Sequence, residues 1–369
     1  MKVCAYLHVS RCLEPCGGVG RHANNLLKRL AQREGFEVSA LYVRSALGPD
    51  GQPPRNFPLR DLPAHYLPGR ELMLERVVRQ LGLPPLDWFG PEADWYYSPM
   101  ETRLPVRSAR TAMTLHDVAM FEPDLPWSRT AAYLRARNTY GRWLPRTLTR
   151  VDRVLTVSEF SRQRMVELFG ADPDRIHVVG NGVEDAFFAA GDAAATYGID
   201  KCDEIVVLGG LRYKKGADHV LSVAEALHRR GSPLQIAVIG QSEPRYIARA
   251  AEYPNIQVLG MMPDAELVPR LARARASMLL SLYEGFGIPA IEAMACGTVA
   301  VVSDKASLPE IVGGAGLIFS PDRADEIAAA LDQLCEDTAW HKDLVSRGRA
   351  QAKQYTWDRC VDRLIAALR

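Results

Sequence analysis

Two glutamates flank a glycine-rich turn in the second half of the sequence, in the segment Glu284-Gly-Phe-Gly-Ile-Pro-Ala-Ile-Glu292. An apolar run, Ser277 to Ser281, precedes the turn, and a helical pattern follows it. Because the first N–H groups of a helix have no partner and its amino end is positive, this turn suits a phosphate. Glu292 lies about one turn into the helix, where it can accept hydrogen bonds from a diol. The pattern predicts recognition of a phosphorylated ligand that also carries hydroxyl groups.

A second glycine-rich segment carries positive charge, Gly209-Gly-Leu-Arg-Tyr-Lys-Lys-Gly216. It follows an apolar strand pattern. Lysine and arginine at the carboxyl end of a strand can neutralise a diphosphate and stabilise it as a leaving group. Lys215 is the first candidate, and either Arg212 or Lys214 supplies a second charge. The alternative for each is a solvated surface cation.

Four residues near the amino terminus, Gly17-Gly18-Val19-Gly20, predict a turn at a strand end that opens a helix near Arg21. Glycine lets a ligand approach the backbone closely, and open α/β sheets bind ligands at the carboxyl ends of their strands. The alternative is an ordinary strand-to-helix turn. The run lacks the G-x-G-x-x-G spacing of dinucleotide-binding proteins, and Glu37, the acid at the right offset, precedes its strand.

His116 ends an apolar strand pattern, and Asp117 follows it. A histidine on an apolar strand is usually a satisfied core residue, although the adjoining Asp117 favours a functional interpretation. Ser158, after a further strand, is predicted to cap the next helix, with a ligand contact as the alternative. Asp172-Pro173-Asp174 follows a predicted helix and is typical of a turn.

These segments need parallel sheets to bring them together, and the sequence predicts two. Short apolar, β-branched runs alternate with helical patterns, as in sheets covered by helices on both faces. The first series of predicted strands is Lys2 to Val9, Val38 to Val43, Trp95 to Ser98, Thr111 to His116 and Arg153 to Val157. The second series is Ile205 to Gly209, Leu234 to Gly240, Ile256 to Leu259, Ser277 to Ser281, Ala300 to Ser303 and Gly316 to Phe319. Helices are predicted at Gly18 to Gln32, Ser158 to Phe169, Ala217 to Arg230, Asp264 to Ala274 and Ala324 to Cys335.

The length of 369 residues suits two domains. Residues 1–182 are predicted to form the first Rossmann-like domain and residues 203–354 the second. The stretch 183–202 is rich in small residues, lacks a strand pattern and is predicted to be a linker. Gly48 to Pro63 holds five prolines and is predicted to be a surface loop.

Composition narrows the class of protein. With 47% hydrophobic and 24% charged residues the chain is typical of a globular protein, and a formal net charge of +1 gives no reason to expect nucleic acid. Seven scattered cysteines without a CxxC pair favour reduced thiols in a cytoplasmic protein. No stretch is long and apolar enough to predict a membrane span, and no signal-peptide pattern opens the sequence.

Together the motifs resemble those of the retaining family 4 glycosyltransferases, which adopt the α/β GT-B fold, two Rossmann-like parallel-sheet domains facing a central cleft. The glutamate pair around GFGIPAIEAMACGTVAVVSD carries most of the resemblance. It extends over nearly the whole chain, through Gly17-Gly18-Val19-Gly20, Leu115-His116-Asp117, Thr156-Val157-Ser158, Gly180-Asn181-Gly182-Val183 and Gly209 to Gly216. The order and spacing of these motifs are more specific than any one of them.

The resemblance implies transfer of a hexose from a nucleotide-diphosphate sugar to a hydroxyl of a glycan or lipid-linked acceptor, with neither cofactor nor metal. It assigns catalytic contacts to His116, Glu284, Lys215 and Arg212. It assigns donor contacts to Gly17, Gly18, Gly210, Gly285, Phe286, Gly287, Ile288 and Glu292. Gly210 departs from the family pattern, because an arginine is usual there. Residues 355–369 resemble the family's terminal helix, which packs back on the first domain.

The segment from His116 to Pro126 resembles a branch with many mannosyltransferases of bacterial surface polysaccharide assembly. This favours GDP-mannose as donor, with UDP-sugars next. Two alternatives share the fold, a nucleotide-sugar epimerase and a non-catalytic sugar-nucleotide-binding subunit. A dinucleotide oxidoreductase also has two α/β domains, but the fingerprint is missing.

Between Ser128 and Ser158 the arginines are opposed only by Asp152. They are Arg129, Arg135, Arg137, Arg142, Arg146, Arg150 and Arg153, interleaved with or next to Trp127, Tyr133, Tyr140 and Trp143. This stretch could contact an anionic lipid surface or a phosphorylated acceptor, or it could be a solvated face without a ligand. The first would place a cytoplasmic protein peripherally on the inner membrane face.

Overall fold

The computed structural model describes residues 1–198 and 200–369, without the side chains at positions 72, 75, 79 and 80. The chain forms two compact units. The first consists of Met1–Gly182 together with Trp357–Arg369, and the second is Val183–Thr356.

The first unit contains a seven-stranded parallel sheet. Its strands are β1 (Lys2–Tyr6), β2 (Glu37–Val43), β3 (Ala64–Leu67), β4 (Trp95–Ser98), β5 (Arg110–Thr114), β6 (Arg153–Thr156) and β7 (Ile176–Val178). The helices are α1 (Val9–Cys12), α2 (Gly18–Leu30), α3 (Glu71–Leu81), α4 (Ala131–Gly141), α5 (Leu144–Leu148), α6 (Glu159–Phe169) and the C-terminal helix (Trp357–Leu368).

Both faces of this sheet are buried, as the continuous apolar strands predict. Along β1, Val3 and Ala5 belong to the core on one face, whereas Cys4 and Tyr6 belong to the core on the other. The strand order is β3-β2-β1-β4-β5-β6-β7, so the order reverses between β1 and β4. The carboxyl ends at such a switch point are where open α/β sheets bind ligands.

The C-terminal helix packs into the first of these two cores. The Trp95 indole N–H donates to the Leu368 carbonyl at 2.9 Å. Arg33 forms ion pairs with Asp358 at 3.2 Å and Asp362 at 3.1 Å. The last residues of the sequence are therefore part of the first unit.

The predicted strands of the first half are present, with ends that differ by up to three residues, but the glycine run does not directly follow a strand. β1 ends at Tyr6, and α1 intervenes before α2, which begins at Gly18, the first residue of the helix predicted at Gly18 to Gln32. The strands β3 and β7 were not predicted. Gly48 to Pro63 is irregular as predicted, yet Phe57 within it is fully buried in the core.

The second unit contains a six-stranded parallel sheet of order β10-β9-β8-β11-β12-β13. Its strands are β8 (Cys202–Leu208), β9 (Gln235–Ile239), β10 (Ile256–Gly260), β11 (Ala274–Leu279), β12 (Val299–Ser303) and β13 (Leu317–Phe319). The helices are α7 (Asp185–Tyr197), α8 (Ala217–Arg229), α9 (Pro244–Ala250), α10 (Asp264–Arg273), α11 (Ile288–Ala295), α12 (Leu308–Val312), α13 (Ala324–Glu336) and α14 (Thr338–Ala352). The order of this sheet reverses between β8 and β11.

The linker predicted at 183–202 is wrong, because this stretch contains α7 and the start of β8. Phe187 is fully buried, and a Cβ at Gly191 would lie 2.0 Å from the Ala295 carbonyl oxygen. The small residues that resembled a flexible linker instead let α7 approach α11. This helix belongs to the second unit.

All seven cysteines are free thiols. Burial raises the pKa of Cys4, Cys12, Cys296 and Cys360 to about 12, so these four are protonated at neutral pH. Among the described residues, none of the helices has the length and hydropathy that crossing a bilayer requires.

Candidate functional site

In the second unit, the loops after β8 and β11 bring together two residues that the sequence singled out. The Lys215 Nζ lies 2.6 Å from the Glu284 Oε1, and both side chains are largely buried. The two strands are neighbours at the switch point of the sheet. A charge-assisted pair therefore stands where ligands of this architecture bind.

The carboxylate of Glu284 is held by more than the lysine. The Ser281 hydroxyl donates to the same Oε1 at 2.6 Å. The Ser307 hydroxyl donates to the backbone carbonyls of Glu284 and Phe286, each at 2.9 Å. Two serines thus fix the turn and its acid, although only the turn itself was identified from the sequence.

Two glycines allow the close packing that this arrangement needs. Gly216 has φ +75°, and a Cβ there would lie 1.9 Å from the Leu280 carbonyl oxygen. Gly287 has φ +101°, and a Cβ there would lie 2.5 Å from the Leu308 Cδ2. Both positions require glycine for backbone conformation and for space. They fix the distance between the lysine loop and the glutamate turn.

Position 210 carries a glycine where the family usually has an arginine, and the local backbone explains the glycine. Its φ is +74°, and a Cβ would lie 2.2 Å from the Gln241 carbonyl oxygen. An arginine side chain does not fit on this backbone. The Arg212 side chain is exposed and, within the described residues, forms no ion pair. The backbone of Lys214 is tied to the next loop, because its carbonyl accepts a hydrogen bond from Leu282 N at 3.0 Å.

The turn continues into α11 as the sequence predicts. Gly287 is the N-cap and Ile288 is the first helical residue. The Phe286 ring is buried and packs edge to face on Tyr355, with 5.5 Å between ring centroids. Glu292 lies in α11 and is only 3% exposed. The acid predicted to bind a ligand diol is therefore a buried side chain, about one turn into this helix.

In the first unit, His116 lies just past the carboxyl end of β5. Its Nε2 is 3.0 Å from the Pro99 carbonyl oxygen, and because a carbonyl only accepts, Nε2 carries the proton. In the neutral ring Nδ1 is then an acceptor. The Asp117 carboxylate accepts from Ala119 N at 2.9 Å, which makes it a turn-forming group beside the histidine.

A second histidine, which the sequence did not reveal, packs against the first. His22 on α2 is fully buried, and its ring centroid is 4.7 Å from that of His116. The His22 Nδ1 lies 2.8 Å from the Asn181 Oδ1. Burial first, and then the neighbouring His116, hold the pKa of His22 well below its ordinary value despite the Asn181 bond. His22 is thus a neutral ring that supports His116 from behind.

The glycine run opens α2 and divides into two roles. Gly17 is the N-cap of the helix, and a Cβ there would meet nothing within 4 Å. Neither its backbone angles nor its neighbours require glycine. A Cβ at Gly20 would lie 2.2 Å from the Arg11 carbonyl oxygen, so that glycine serves the packing of α1 on α2. Gly17 and Gly18 are exposed at the helix start, whereas Gly20 is buried.

Comparison with known proteins then identifies the family. The family model for Glycosyltransferase Family 4 matches residues 16–187, and that for Glycosyl transferases group 1 matches residues 195–351. The chain is a family 4 glycosyltransferase with the GT-B fold. The two models meet near the boundary between the two compact units.

Full-length and partial relatives agree with this assignment. The glycosyltransferase is 28% identical to O-antigen chain mannosyltransferase B of Escherichia coli over 96% of both chains. It is 29% identical to MMP alpha-(1->4)-mannosyltransferase of Mycolicibacterium hassiacum, over 60% of this chain and 54% of the relative. Sucrose-phosphate synthase of Thermosynechococcus elongatus shares its fold, with a TM-score of 0.70 and 18% identity over 99% and 97% of the two chains.

Several other predicted residues have structural roles in this glycosyltransferase. Ser158 caps α6 by accepting from Ser161 N at 3.1 Å, as predicted. Asp172 accepts from Asp174 N at 3.0 Å, which confirms the turn at Asp-Pro-Asp. Within the described residues, no group of three or more His, Cys, Asp or Glu side chains is arranged to hold a metal ion.

Three of the four aromatic residues in the arginine-rich stretch from Ser128 to Ser158 or next to it are buried, which disagrees with their use as a membrane-facing surface. Trp127, Tyr133 and Trp143 are buried, at 6%, 8% and 5% exposure, and belong to the interior. They are therefore not available as a group for a membrane surface.

Proposed function

We propose that this glycosyltransferase transfers mannose from GDP-mannose to a hydroxyl of a glycan or glycolipid, with retention of the anomeric configuration. The observation that carries the proposal is the Lys215–Glu284 pair at 2.6 Å, at the carboxyl ends of the two switch-point strands of the second unit. The α11 amino end follows directly in the chain.

Lys215 is proposed to bind the donor diphosphate. Within the described residues, its charge is matched by the Glu284 carboxylate alone. A diphosphate would bring two or more negative charges to the same ammonium group. Arg212, exposed on the same loop, is the proposed second cation, with Lys214 as the alternative. The N–H groups of Gly287 and Ile288 would face the phosphate from the helix end.

Glu284 is proposed to bind the donor sugar, and Glu292 the ribose. Ser281 donates to the Glu284 carboxylate, so the acid keeps its orientation when a phosphate engages the lysine. A carboxylate held this way accepts hydrogen bonds from sugar hydroxyls without reorganisation. Gly285 and Phe286 form the backbone between sugar and phosphate sites.

The chemical step requires stabilisation of the leaving diphosphate. The bond between the anomeric carbon and the phosphate oxygen breaks, and the acceptor oxygen bonds to the same face of that carbon. The acceptor proton passes to the departing phosphate. Lys215 and Arg212 stabilise the charge that develops on the diphosphate, and preorganised charge of this kind is commonly the largest catalytic contribution.

His116 is proposed to contact the donor sugar from the first unit. Its carbonyl oxygen already accepts from the Ser161 hydroxyl at 3.3 Å, which favours contact through the ring. The hydrogen bond to Pro99 and the packed His22 ring fix its orientation. Gly17 and Gly18, at the start of α2, are proposed to let donor or acceptor approach the backbone.

Mannose is favoured by the relatives. Both sequence relatives described above are named as mannosyltransferases, one of them over 96% of this chain. One name specifies an α-linked product. Nucleotide-activated mannose carries its diphosphate on the α face, so an α-linked product means retention. A glycan or lipid-linked acceptor in polysaccharide assembly follows from the O-antigen relative, and we infer a cytoplasmic location, where nucleotide sugars are made.

A donor screen tests the proposal directly. GDP-mannose should raise the melting temperature more than UDP-glucose or UDP-N-acetylglucosamine, because a ligand that binds only the folded chain stabilises it. NMR of the product formed with a mannose-terminated oligosaccharide should show an α linkage. Binding without transfer or donor hydrolysis would indicate a non-catalytic subunit. Conversion of the donor sugar without acceptor would indicate an epimerase.

The Glu292→Ala variant tests the ribose contact. Loss of charge-assisted hydrogen bonds should weaken donor binding by about 1.5 to 3 kcal/mol in titration calorimetry. Glu310→Ala, on the short helix α12 of the same unit, is the matched control and should bind as the original protein does. Equal donor affinity of the Glu292→Ala variant and the unaltered protein would refute the assignment.

A further inference from the structure

The loop between β9 and α9 is bonded to the glycine-rich loop after β8 at three points. The Leu211 N–H donates to the Ser242 hydroxyl oxygen at 2.9 Å, and the Leu211 carbonyl accepts from the Glu243 N–H at 2.9 Å. The Tyr213 N–H donates to the Glu243 Oε1 at 3.0 Å. Arg212 lies between these two anchored residues. The loop after β9 therefore fixes the backbone on both sides of Arg212.

The backbone of Arg212 itself is also fixed. Its carbonyl oxygen accepts from the Lys215 N–H at 2.9 Å and from the Ala217 N–H at 3.2 Å. The residue is extended, with φ −132° and ψ 148°, and caps the short 3₁₀ helix that contains Lys215. Because the backbone is set, the direction in which the arginine side chain leaves it is set as well. One rigid segment thus carries Arg212 and Lys215.

The Glu243 carboxylate is anchored by a second set of contacts. Its Oε2 accepts from the Arg245 Nε at 2.9 Å and lies 2.8 Å from the Arg245 Nη2. The Arg245 guanidinium carbon lies 4.6 Å from the centre of the Tyr246 ring, and Tyr246 is only 2% exposed. The Tyr246 hydroxyl donates to the Asp218 Oδ2 of α8 at 2.7 Å. Two helices, α8 and α9, therefore hold the acid that bonds to the Tyr213 N–H.

The loop after β9 also explains why position 210 has no arginine. A Cβ at Gly210 would lie 2.2 Å from the Gln241 carbonyl oxygen, so the close approach of this loop excludes a side chain there. Gln241 directly precedes Ser242 and Glu243 in the chain. The approach that excludes the arginine usual in the family is therefore the approach that anchors the backbone around Arg212. The Arg212 side chain is available to a ligand, because it is exposed and forms no ion pair with any described residue.

We propose that Ser242 and Glu243 are positioning residues, which hold Arg212 ready for the donor diphosphate in place of the arginine usual in the family. This inference rests on the proposed function, in which Lys215 binds the same diphosphate. A backbone that is fixed before binding loses less freedom when the ligand arrives, so the arginine binds more tightly. A guanidinium group can also bond to two phosphate oxygens at once, whereas the ammonium group of Lys214 is a point charge. Both properties favour Arg212 as the second cation.

Binding of inorganic pyrophosphate to the full chain, measured by titration calorimetry, tests this inference without any glycosyl transfer. Glu243→Ala should weaken binding about ten-fold, because the Tyr213 N–H is released and the arginine contact is lost. In an Arg212→Ala background the same substitution should change the affinity by about two-fold or less, since the residue through which Glu243 acts is gone. In a Lys214→Ala background the ten-fold loss should persist. Glu252→Ala removes an exposed acid just after α9 and should bind as the original protein does.

The inference is overturned if Glu243→Ala weakens binding equally in the original and Arg212→Ala backgrounds, if it weakens binding in neither, or if only the Lys214→Ala background abolishes its effect. Ser242→Ala removes one hydroxyl without a change of charge and should show the same dependence on Arg212 with a smaller loss. This second variant decides the question if thermal melting shows that Glu243→Ala folds poorly. Unchanged pyrophosphate binding by Lys215→Ala, with the dependence of Glu243 on Arg212 intact, would refute the lysine contact of the proposed function and leave this inference standing.

Discussion

The two candidate ligand-binding regions of this glycosyltransferase are built in opposite ways. In the second unit, Lys215 and Glu284 form a charged pair fixed by serines and by glycines at positive φ. In the first unit, His116 is supported by a buried neutral ring, His22, and a backbone carbonyl. The region in the second unit offers a ligand charged side chains. The region in the first unit offers a histidine ring whose orientation is fixed by packing and a hydrogen bond.

We propose that this contrast reflects the different chemical groups of a sugar nucleotide. A diphosphate needs cations and helix-end N–H groups, which the second unit offers. In the proposed function the sugar also contacts the Glu284 carboxylate of the second unit, and the first unit adds hydrogen-bonding groups held in place around His116. We infer that the charged region mainly controls turnover, and that the neutral region mainly controls orientation.

The largest effect is expected from removing the cation of the charged region. Lys215→Ala should lower kcat by roughly 10²- to 10³-fold, because one preorganised charge opposite the leaving group is lost. The matched control is Lys342→Ala, an exposed lysine on α14. Steady-state kinetics with the donor identified by the screen measures both. Full kcat in the Lys215→Ala variant would remove the lysine from the mechanism and erase the contrast between the regions.

Gly216 allows the close contact between the lysine loop and Leu280. Comparing the unfolding free energies of Gly216→Ala and Gly231→Ala separates the cost of this contact from the cost of the backbone conformation. Gly231 has φ +67° with open space around it, so Gly231→Ala should cost only about 1 kcal/mol for the left-handed backbone. Gly216→Ala has a similar φ of +75° plus the contact with Leu280, and should cost about 3 kcal/mol or more in total. Urea unfolding gives both values, and equal costs would contradict the packing argument.

The neutral region should show itself in the pH dependence of stability. The pKa of His22 is held well below its ordinary value near 6.5, so below that pH the unfolded chain takes up a proton that the folded chain excludes. Stability should fall as the pH drops from 6.5, by up to about 1.4 kcal/mol per pH unit from this group.

The His22→Gln variant isolates this contribution. Glutamine can still bond to Asn181 and does not titrate, so the slope between pH 6.5 and 5 should become shallower by up to one proton. An unchanged slope in His22→Gln, measured by urea unfolding, would show that His22 is not the neutral ring assumed here.

The smallest effect is expected from Ser158, where the substitution to alanine distinguishes a helix cap from a ligand contact. Ser158→Ala removes the cap of α6 and should lower the unfolding free energy by about 1 kcal/mol. Donor affinity should not change, because the hydroxyl is buried and bonded to Ser161. A loss of donor binding larger than the loss of stability would return Ser158 to the ligand contacts.

The charged region was easier to predict than the neutral one, for a physical reason. The glycines, Lys215 and Glu284 lie in two short segments whose turns are set by local backbone rules, so their chemistry is visible in the sequence. His22 and Asn181 are 159 residues apart, and only packing joins them. The linker prediction failed for the same reason, since Gly191 and its neighbours serve helix contact and not flexibility.

The sequence by itself determined the alternation of strands and helices, the two sheets and the glycine-rich turns, because each follows from periodicity and local conformation. Only the tertiary structure decided which residues meet: Ser281 and Ser307 on the glutamate turn, His22 behind His116, and Glu243 on the backbone beside Arg212. Such contacts depend on how distant segments pack, and no local pattern encodes the distance between them.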